Sequence, residues 1–550
     1  MVTVRACWLT AVAACVFAPT LASAQFTPSP PTIGFAPVPP AGVAAAPQSR
    51  PVFTPAAADE RPKDEPKLPP EMQQAVEAYL KDREAKKKAD DEQKQKELMA
   101  KALTTGTKFP LQSYWDNQLW FETPNKEWRF HVGGRLQFEP IWWSQPANLR
   151  GAAPGNGGLP AAGPGSGVGV LDDGMFFRRV RFRTDGVVYD KFEYALEVNF
   201  EQLNFTTYDH LWVGVKDLPL VNTVRVGLHK VPQGMEMIGS DYHLTLLERS
   251  SLSDAVWTLF APGVFMMNNY LDQRMVVQTM FHRIQPTGFF TSDFGGGDYA
   301  SSTRVTGLPI YEGDGERLLH LGGSYQWRRA DLGRTIQPGG TGSTFGDTQN
   351  VVRFRARPEL RDATGIQTTL GGNPGRFIDT GFLRADHVHT VSPELLWIDG
   401  PFAVQAEAAF AFTENARTLY GPGVGRPAVS PLFWGGYAEM SYILTGEHRG
   451  YDKRMGMYDR IKVKNNFRWD QCGGIQGTGA WQVAYRYSHL DLNDRGIDGG
   501  LMDQHTFGLN WYFNDNAKLQ FQYSLIRRNA PAPAESGLVH GFGLMAQYYF

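Results

Sequence analysis

The last eight residues, "GLMAQYYF" (543–550), alternate between bulky and smaller side chains up to the final aromatic. One residue further back the pattern holds. Phe542, Leu544, Ala546, Tyr548 and Phe550 share one parity, whereas Gly541, Gly543, Met545 and Gln547 share the other. A period of two marks a β-strand with two unlike faces. An open edge strand with so greasy a face would aggregate in water. The pattern makes sense if the strand closes a sheet and turns its bulky face to lipid.

The same texture continues upstream. "AKLQFQYSL" (517–525) sets Leu519, Phe521, Tyr523 and Leu525 against Lys518, Gln520, Gln522 and Ser524. "TFGLNWYF" (506–513), "WQVAYRYS" (481–488) and "KFEYALEVNF" (191–200) alternate in the same way. A soluble sandwich also alternates, but its outer face carries ample charge. Here many polar positions hold Gly, Ser, Gln or Asn. Aromatics gather near strand ends, as at Trp142, Trp143, Trp511 and Tyr548, which suits girdles at two membrane interfaces. Runs of about 9–14 residues match tilted bilayer crossings.

Composition agrees. Aromatics make up 13% of the chain and there are 59 glycines, yet no apolar run beyond the N-terminus is long enough for a spanning helix. A net charge of −2 supplies no broad basic field and argues against a nucleic-acid partner. The expected class is all-β: a transmembrane antiparallel barrel of about 16 strands over residues 128–550.

Residues 1–24 read as a secretory signal, with Arg5, an apolar stretch, and Ala22-Ser23-Ala24 before Gln25. Val12-Ala13-Ala14-Cys15 also resembles a lipoprotein cleavage box, but the apolar stretch runs on past it. Cleavage leaves Cys472 as the single mature cysteine, with no disulfide partner and no metal-site spacing. Residues 25–70 form a Pro/Ala-rich linker with too few large apolar side chains for a core. Residues 71–103 are dense in helix formers with interleaved Glu and Lys. Their apolar seam breaks at Lys86-Lys87-Lys88, so a solvated helix fits better than a coiled coil. Residues 104–127 are read as a connector.

Strand-like runs are expected to start near 128, 175, 191, 207, 222, 261, 272, 302, 317, 384, 401, 432, 479, 502, 517 and 539. With a periplasmic N-terminus, short turns at 187–190, 268–272, 397–401 and 514–516 face the periplasm. Long pieces at 144–174, 231–260 and 329–380 face outward. The long connection at 446–478 falls on the periplasmic side by this parity and breaks the rule.

"MFFRRVRFRTDG" (175–186) carries the sharpest chemistry. Arg179, Arg181 and Arg183 share a parity opposite to Val180 and Phe182, and should line a lumen about 7 Å apart. Guanidinium keeps its charge at any physiological pH and offers forked donors to an oxyanion. A ladder of such sites passes an ion along without trapping it. The competing reading is a wall of ion pairs. A tight turn at 188–190 would set Arg181 opposite Glu197 and Arg183 diagonal to Glu193, and Asp185 opposite Glu193.

These stretches resemble the phosphate-selective porin O and P family. The resemblance rests on "GGRLQFEP" (133–140), "FFRRVRFRTDGVVYDKFEYALEVNF" (176–200), "DHLWVGVKDLP" (209–219), "VRVGLHKVP" (224–232), "LERSSLSDAV" (247–256), "LLHLGGSYQWR" (318–328), "AYRYSHLDLND" (484–494) and "GLNWYFNDNAKLQFQY" (508–523). It implies a sixteen-stranded, homotrimeric outer-membrane channel of a Gram-negative bacterium, with an inward-folded third long loop. By position, the family's double arginine matches Arg178-Arg179, its acidic residue opening the fourth strand matches Asp209, and its lysine before proline matches Lys230. The resemblance makes these part of a phosphate-binding constriction. His229 before that lysine, a folded loop (233–250) poor in Lys and Arg, and the 71–103 helix depart from the pattern.

Phe542, Leu544, Tyr548 and Phe550 resemble the C-terminal signal read by the outer-membrane assembly machinery. His387 and His389 share a strand face without a third ligand at defined spacing, and read as wall residues. No nucleophile triad, phosphate loop or cofactor motif stands out. Two functions therefore compete. One is a passive channel for small anions, phosphate or polyphosphate included. The other is a tether or general porin whose periplasmic helix binds peptidoglycan or a partner.

Overall fold

Sixteen long strands follow one another along the chain. They are β1 (Trp128–Ser144), β2 (Gly174–Val188), β3 (Phe192–Asn199), β4 (Thr207–Lys216), β5 (Thr223–Lys230), β6 (Phe260–Tyr270), β7 (Met275–Ile284) and β8 (Asp298–Glu312). Then come β9 (Arg317–Arg329), β10 (His387–Asp399), β11 (Phe402–Thr413), β12 (Leu432–Ile443), β13 (Ala480–Asp494), β14 (Ile497–Asn514), β15 (Ala517–Asn529) and β16 (Gly537–Tyr549). The expected starts differ from these by at most five residues, the largest offset being Ile497 against 502. This computed structural model describes residues 69–101, 108–116, 118–150, 168–200, 206–284, 298–330, 351–361, 376–419, 425–469, 474–530 and 535–550. The expected signal peptide, nearly all of the linker, and Cys472 lie outside them.

Every strand pairs antiparallel with the next, and β16 returns to β1, so no edge is left open. The seam is finished by Phe550, whose N–H donates to Gly134 O at 3.0 Å and whose carbonyl accepts from Gly134 N at 2.8 Å. A side chain at Gly133 would collide with that closure, since its Cβ would lie 2.2 Å from Phe550 O.

The barrel is inside out relative to a soluble protein. Phe182, Val226, Phe281, Leu321, Phe507, Phe521, Phe542 and Tyr548 are exposed on the outer face. Gln278, Ser302, Thr390, Gln482, Gln504, Gln520 and Gln522 are buried within. The greasy parity read from the sequence is the lipid-facing one. At one end the connections are short: 189–191, 217–222, 271–274, 313–316, 400–401 and 515–516. This end also holds the start of β1 and the end of β16. Two connections depart from the pattern. Residues 495–496 make a tight turn at the long-loop end, and 444–479 is long at the short-turn end.

The β2–β3 connection corrects the expected register. Tyr189 and Asp190 both adopt positive φ, Lys191 extends the turn, and Val188 pairs with Phe192. Arg183, not Arg181, therefore lies opposite Glu197, and Arg181 lies opposite Asn199. Asp185 faces Ala195, which removes the like-charge pair.

The stretch read as a connector carries an extra hairpin, Gln112–Trp115 with Leu119–Glu122. Its second strand pairs with Arg129–Val132 of β1, beyond the Phe550 seam. A separate helix, α1 (Pro70–Ala100), exposes almost all of its described side chains and has no apolar stripe.

The largest apolar core lies inside the wall, where long-loop residues such as Leu149, Leu252, Trp257, Phe354, Phe377 and Ile378 pack on Phe433, Leu490 and Val539. Loop 231–259 folds inward, as the family resemblance implied.

Candidate functional site

The double arginine owes its position to a β-bulge. Gln137 of β1 pairs with Arg179 but Phe138 pairs with Phe177, leaving Arg178 as the extra residue of β2. Strict alternation would send Arg178 to lipid. The bulge instead turns both Arg178 and Arg179 inward, where they are 6% and 2% exposed, while Phe177 and Phe182 face out. Arg181 and Arg183 continue the inward row.

Each of these guanidiniums meets carboxylates. Arg178 pairs with Glu248, which also accepts from Arg179 at 3.3 Å. Arg179 donates to Gln137 at 2.7 Å and is ion-paired with Asp241 at 2.6 Å. Arg181 reaches Asp209 at 2.7 Å, Glu197 at 3.1 Å and Asp241 at 3.1 Å. Arg183 bonds Asp185 at 2.7 Å and Glu197 at 3.1 Å. Arg135 of β1 joins Glu197 at 2.8 Å and Asp241. Desolvated charges of this kind persist only when paired and hydrogen-bonded. Arg178, Arg179, Arg181 and Asp209 are thus brought together in one cluster of charges. Their carboxylate partners Asp241 and Glu248 come from loop 231–259, which has no periodicity to betray them. Arg135 was legible, since it shares parity with Gln137 and Glu139.

Lys230 has a different role from the wall arginines. Its ammonium donates to the carbonyls of Ile238 at 3.1 Å and Gly239 at 2.6 Å. It clamps the folded loop at its root.

The long connection at the short-turn end also enters the barrel, which accounts for its length. A hairpin with strands Gly450–Asp452 and Met457–Asp459 is fastened by Arg304 of β8, which donates to Gly456 O at 2.6 Å and Met455 O at 3.3 Å. Tyr451 bonds His320 at 2.7 Å, and Asp459 meets His243 of the other intruding loop at 3.1 Å. Arg454 extends from the hairpin to Glu193 of β3 at 2.7 Å, and Arg225 of β5 holds the other oxygen of that carboxylate at 3.0 Å.

Between β1–β6, the tip of loop 231–259 and this hairpin lies a cavity of about 410 Å³. Its charged lining consists of Arg129, Arg135, Arg181, Arg183, Arg225, Lys230 and Arg454 against Asp185, Glu193, Glu197, Asp241 and Asp452. His210, Trp212, His229 and Phe260 add aromatic surface. His387 and His389 are elsewhere, at the long-loop end of β10, beside Trp327 and Tyr325.

A closed sixteen-stranded wall with charge inside and apolar side chains outside is a membrane channel. Residues 170–550 match the family described as phosphate-selective porin O and P. The chain belongs to that family. Its members are outer-membrane porins, and this chain is accordingly an outer-membrane channel protein. Porin O of Pseudomonas aeruginosa is 25% identical over 435 residues, covering 73% of this chain and 83% of that protein. An uncharacterized protein of Caulobacter vibrioides is 26% identical over 387 residues, 67% of each chain. Among solved structures, the outer-membrane channel DcaP of Acinetobacter baumannii matches 77% of this chain and 97% of its own, at 11% identity and a TM-score of 0.43.

Proposed function

We propose that this porin is a passive diffusion channel for anions, inorganic phosphate and polyphosphate included, and that solutes pass through the cavity beside β1–β6. The observation that carries this reading is the charge lining the cavity, seven cationic side chains against five carboxylates. Guanidinium charge is permanent near neutral pH, so it raises the local anion concentration whether or not a discrete site forms. The relative named porin O lies in the same family, which favours phosphate among anions.

The test is electrical. Purified protein in a planar bilayer under a potassium chloride gradient should show a reversal potential of anion-preferring sign, and added phosphate should reduce the chloride current. Arg183→Glu with Arg454→Glu should move the reversal potential toward cations. These two are suited to charge reversal because their side chains are the more exposed ones, at 30% and 44%. A wild-type channel that prefers cations would leave a general porin with a charged wall.

The extensive ion pairing of Arg178, Arg179, Arg181 and Arg183 supports that second reading, a weakly selective porin. For assembly, we propose a homotrimer in outer-membrane lipid, inserted through recognition of Phe542, Leu544, Tyr548 and Phe550. Replacing Tyr548 and Phe550 with Ser should lower the heat-modifiable folded protein in the outer membrane; unchanged insertion would contradict it. The exposed α1 helix and the linker before it belong, in this proposal, to the periplasm, where they contact peptidoglycan or a partner.

A further inference from the structure

Three wall arginines converge on one carboxylate that the wall does not supply. Asp241 stands at the tip of loop 231–259 and is 5% exposed. Its Oδ2 is ion-paired with Arg179 Nε at 2.6 Å and Arg181 Nη1 at 3.1 Å, and its Oδ1 accepts from Arg135 Nη1. Converging guanidinium forks of this kind are the donor set that a free oxyanion needs. The carboxylate is delivered there by backbone ties. Lys230 holds Ile238 O and Gly239 O, while Arg249 donates to Gly239 O at 3.0 Å and Glu236 O at 2.8 Å.

Charge balance gives the arrangement a purpose. The guanidiniums of Arg135, Arg178, Arg179, Arg181 and Arg183 are paired with Asp185, Glu197, Asp209, Asp241 and Glu248, the last of which also meets Arg361 at 3.7 Å. All of those carboxylates except Asp241 and Glu248 are fixed in the wall. Glu197 and Asp241 each meet three of the guanidiniums and border the open cavity, but Asp241 alone of the two is carried by the folded loop rather than by the wall. Without Asp241 the cluster would carry a positive surplus facing the cavity, and would hold a multivalent oxyanion too tightly to release it. Conduction requires binding strong enough to admit the ion and weak enough to let it leave.

We infer that Asp241 is a tethered counter-anion: it occupies the oxyanion site formed by Arg135, Arg179 and Arg181, and a permeating phosphate must displace it. The inference rests on the anion-channel reading above. A carboxylate tied to the wall competes at the high effective concentration of an intramolecular ligand, so it weakens the channel's hold on phosphate and speeds release. Asp241 is therefore a specificity-determining residue rather than only a structural anchor.

The experiment measures the phosphate concentration that halves the chloride current in wild type, Asp241→Asn, Asp241→Ser and Asp241→Glu, with heat-modifiability as the folding control. Both neutral variants should be half-inhibited at a phosphate concentration lower by about tenfold or more, as expected when a tethered competitor is removed. Asp241→Glu, which keeps the charge, should stay near wild type. Neutral variants that conduct but show wild-type inhibition overturn the inference. So does failure of both to insert, which would make Asp241 a structural staple. A cation-preferring wild type instead defeats the anion-channel reading itself, so the two failures are distinguishable.

Discussion

Arg181 and Arg486 both face the lumen, both sit among carboxylates, and both look alike in an alternating sequence. Their surroundings differ. Arg181, on the β1–β6 wall, lines the cavity. Arg486, on β13, is 1% exposed and faces no such space. Its guanidinium is shared by Glu439 at 2.6 Å, Glu236 at 3.0 Å and Glu359 at 3.4 Å, and it lies 4.9 Å from the Tyr437 ring centroid. Glu236 and Glu359 belong to segments folded in from the long-loop end. Inward parity thus places a charge in the lumen, but the intruding segments decide whether it meets water or becomes a bolt. Both walls fasten the inserts, but the open cavity lies beside β1–β6.

Breaking a bolt should cost the most. Arg486→Ala leaves Glu236, Glu359 and Glu439 buried without their shared cation, a loss of about 3–5 kcal/mol. The expected readout is an earlier heat-modifiability transition and noisy conductance as loop 231–259 loosens. Arg183→Ala, on the path side, should leave that transition nearly in place. Equal effects at both positions would erase the distinction between the walls.

Arg304→Ala should act chiefly on the hairpin insert and on Glu394 of β10, its buried partner at 2.6 Å. It removes the donors that hold Gly456 O and Met455 O, leaving the 450–459 hairpin on its Tyr451, Arg454 and Asp459 contacts. It also takes from Glu394 its arginine partner. Single-channel conductance should rise with the barrel still inserted. An unchanged conductance would mean that the hairpin does not narrow the path.

A smaller effect is expected on the path wall. Glu193→Gln releases Arg225 and Arg454 from their shared carboxylate and should shift the reversal potential further toward anions without changing folding. A shift toward cations would place the current elsewhere. Removing residues 26–103 while keeping the signal should change least of all: insertion and conductance stay as in wild type. Co-purification with peptidoglycan should fall if α1 is the tether. A truncated protein unable to conduct would make that segment part of the channel.

How much of this the sequence revealed follows from which features are periodic. The sixteen strands and their two faces were legible because a two-residue period is written along every crossing, from Phe507 and Leu509 to Tyr548 and Phe550. The inward turn of Arg178 was not, because a bulge breaks the period at the residue in question. Asp241 and Glu248 were hidden in a loop whose shape depends on groups distant in sequence, such as Glu407, which accepts from the Met235 and Glu236 N–H groups, and Arg486. The β2–β3 register was misplaced because the three-residue turn sits at 189–191, one residue later than expected, with Tyr189 and Asp190 at positive φ. The 446–478 connection stood out only as an irregularity; its anchor, Arg304, lies far away in sequence.

The location and sign of the path can be tested together by thiol labelling in a Cys472→Ser background. Met457→Cys places a thiol on the cavity lining, and Gln405→Cys places one on the buried opposite wall. A negatively charged methanethiosulfonate reagent should block current quickly at position 457 and slowly or not at all at 405, and should outpace its positively charged counterpart. Equal block at both positions, or faster reaction with the cation, would contradict an anion path confined to the β1–β6 wall.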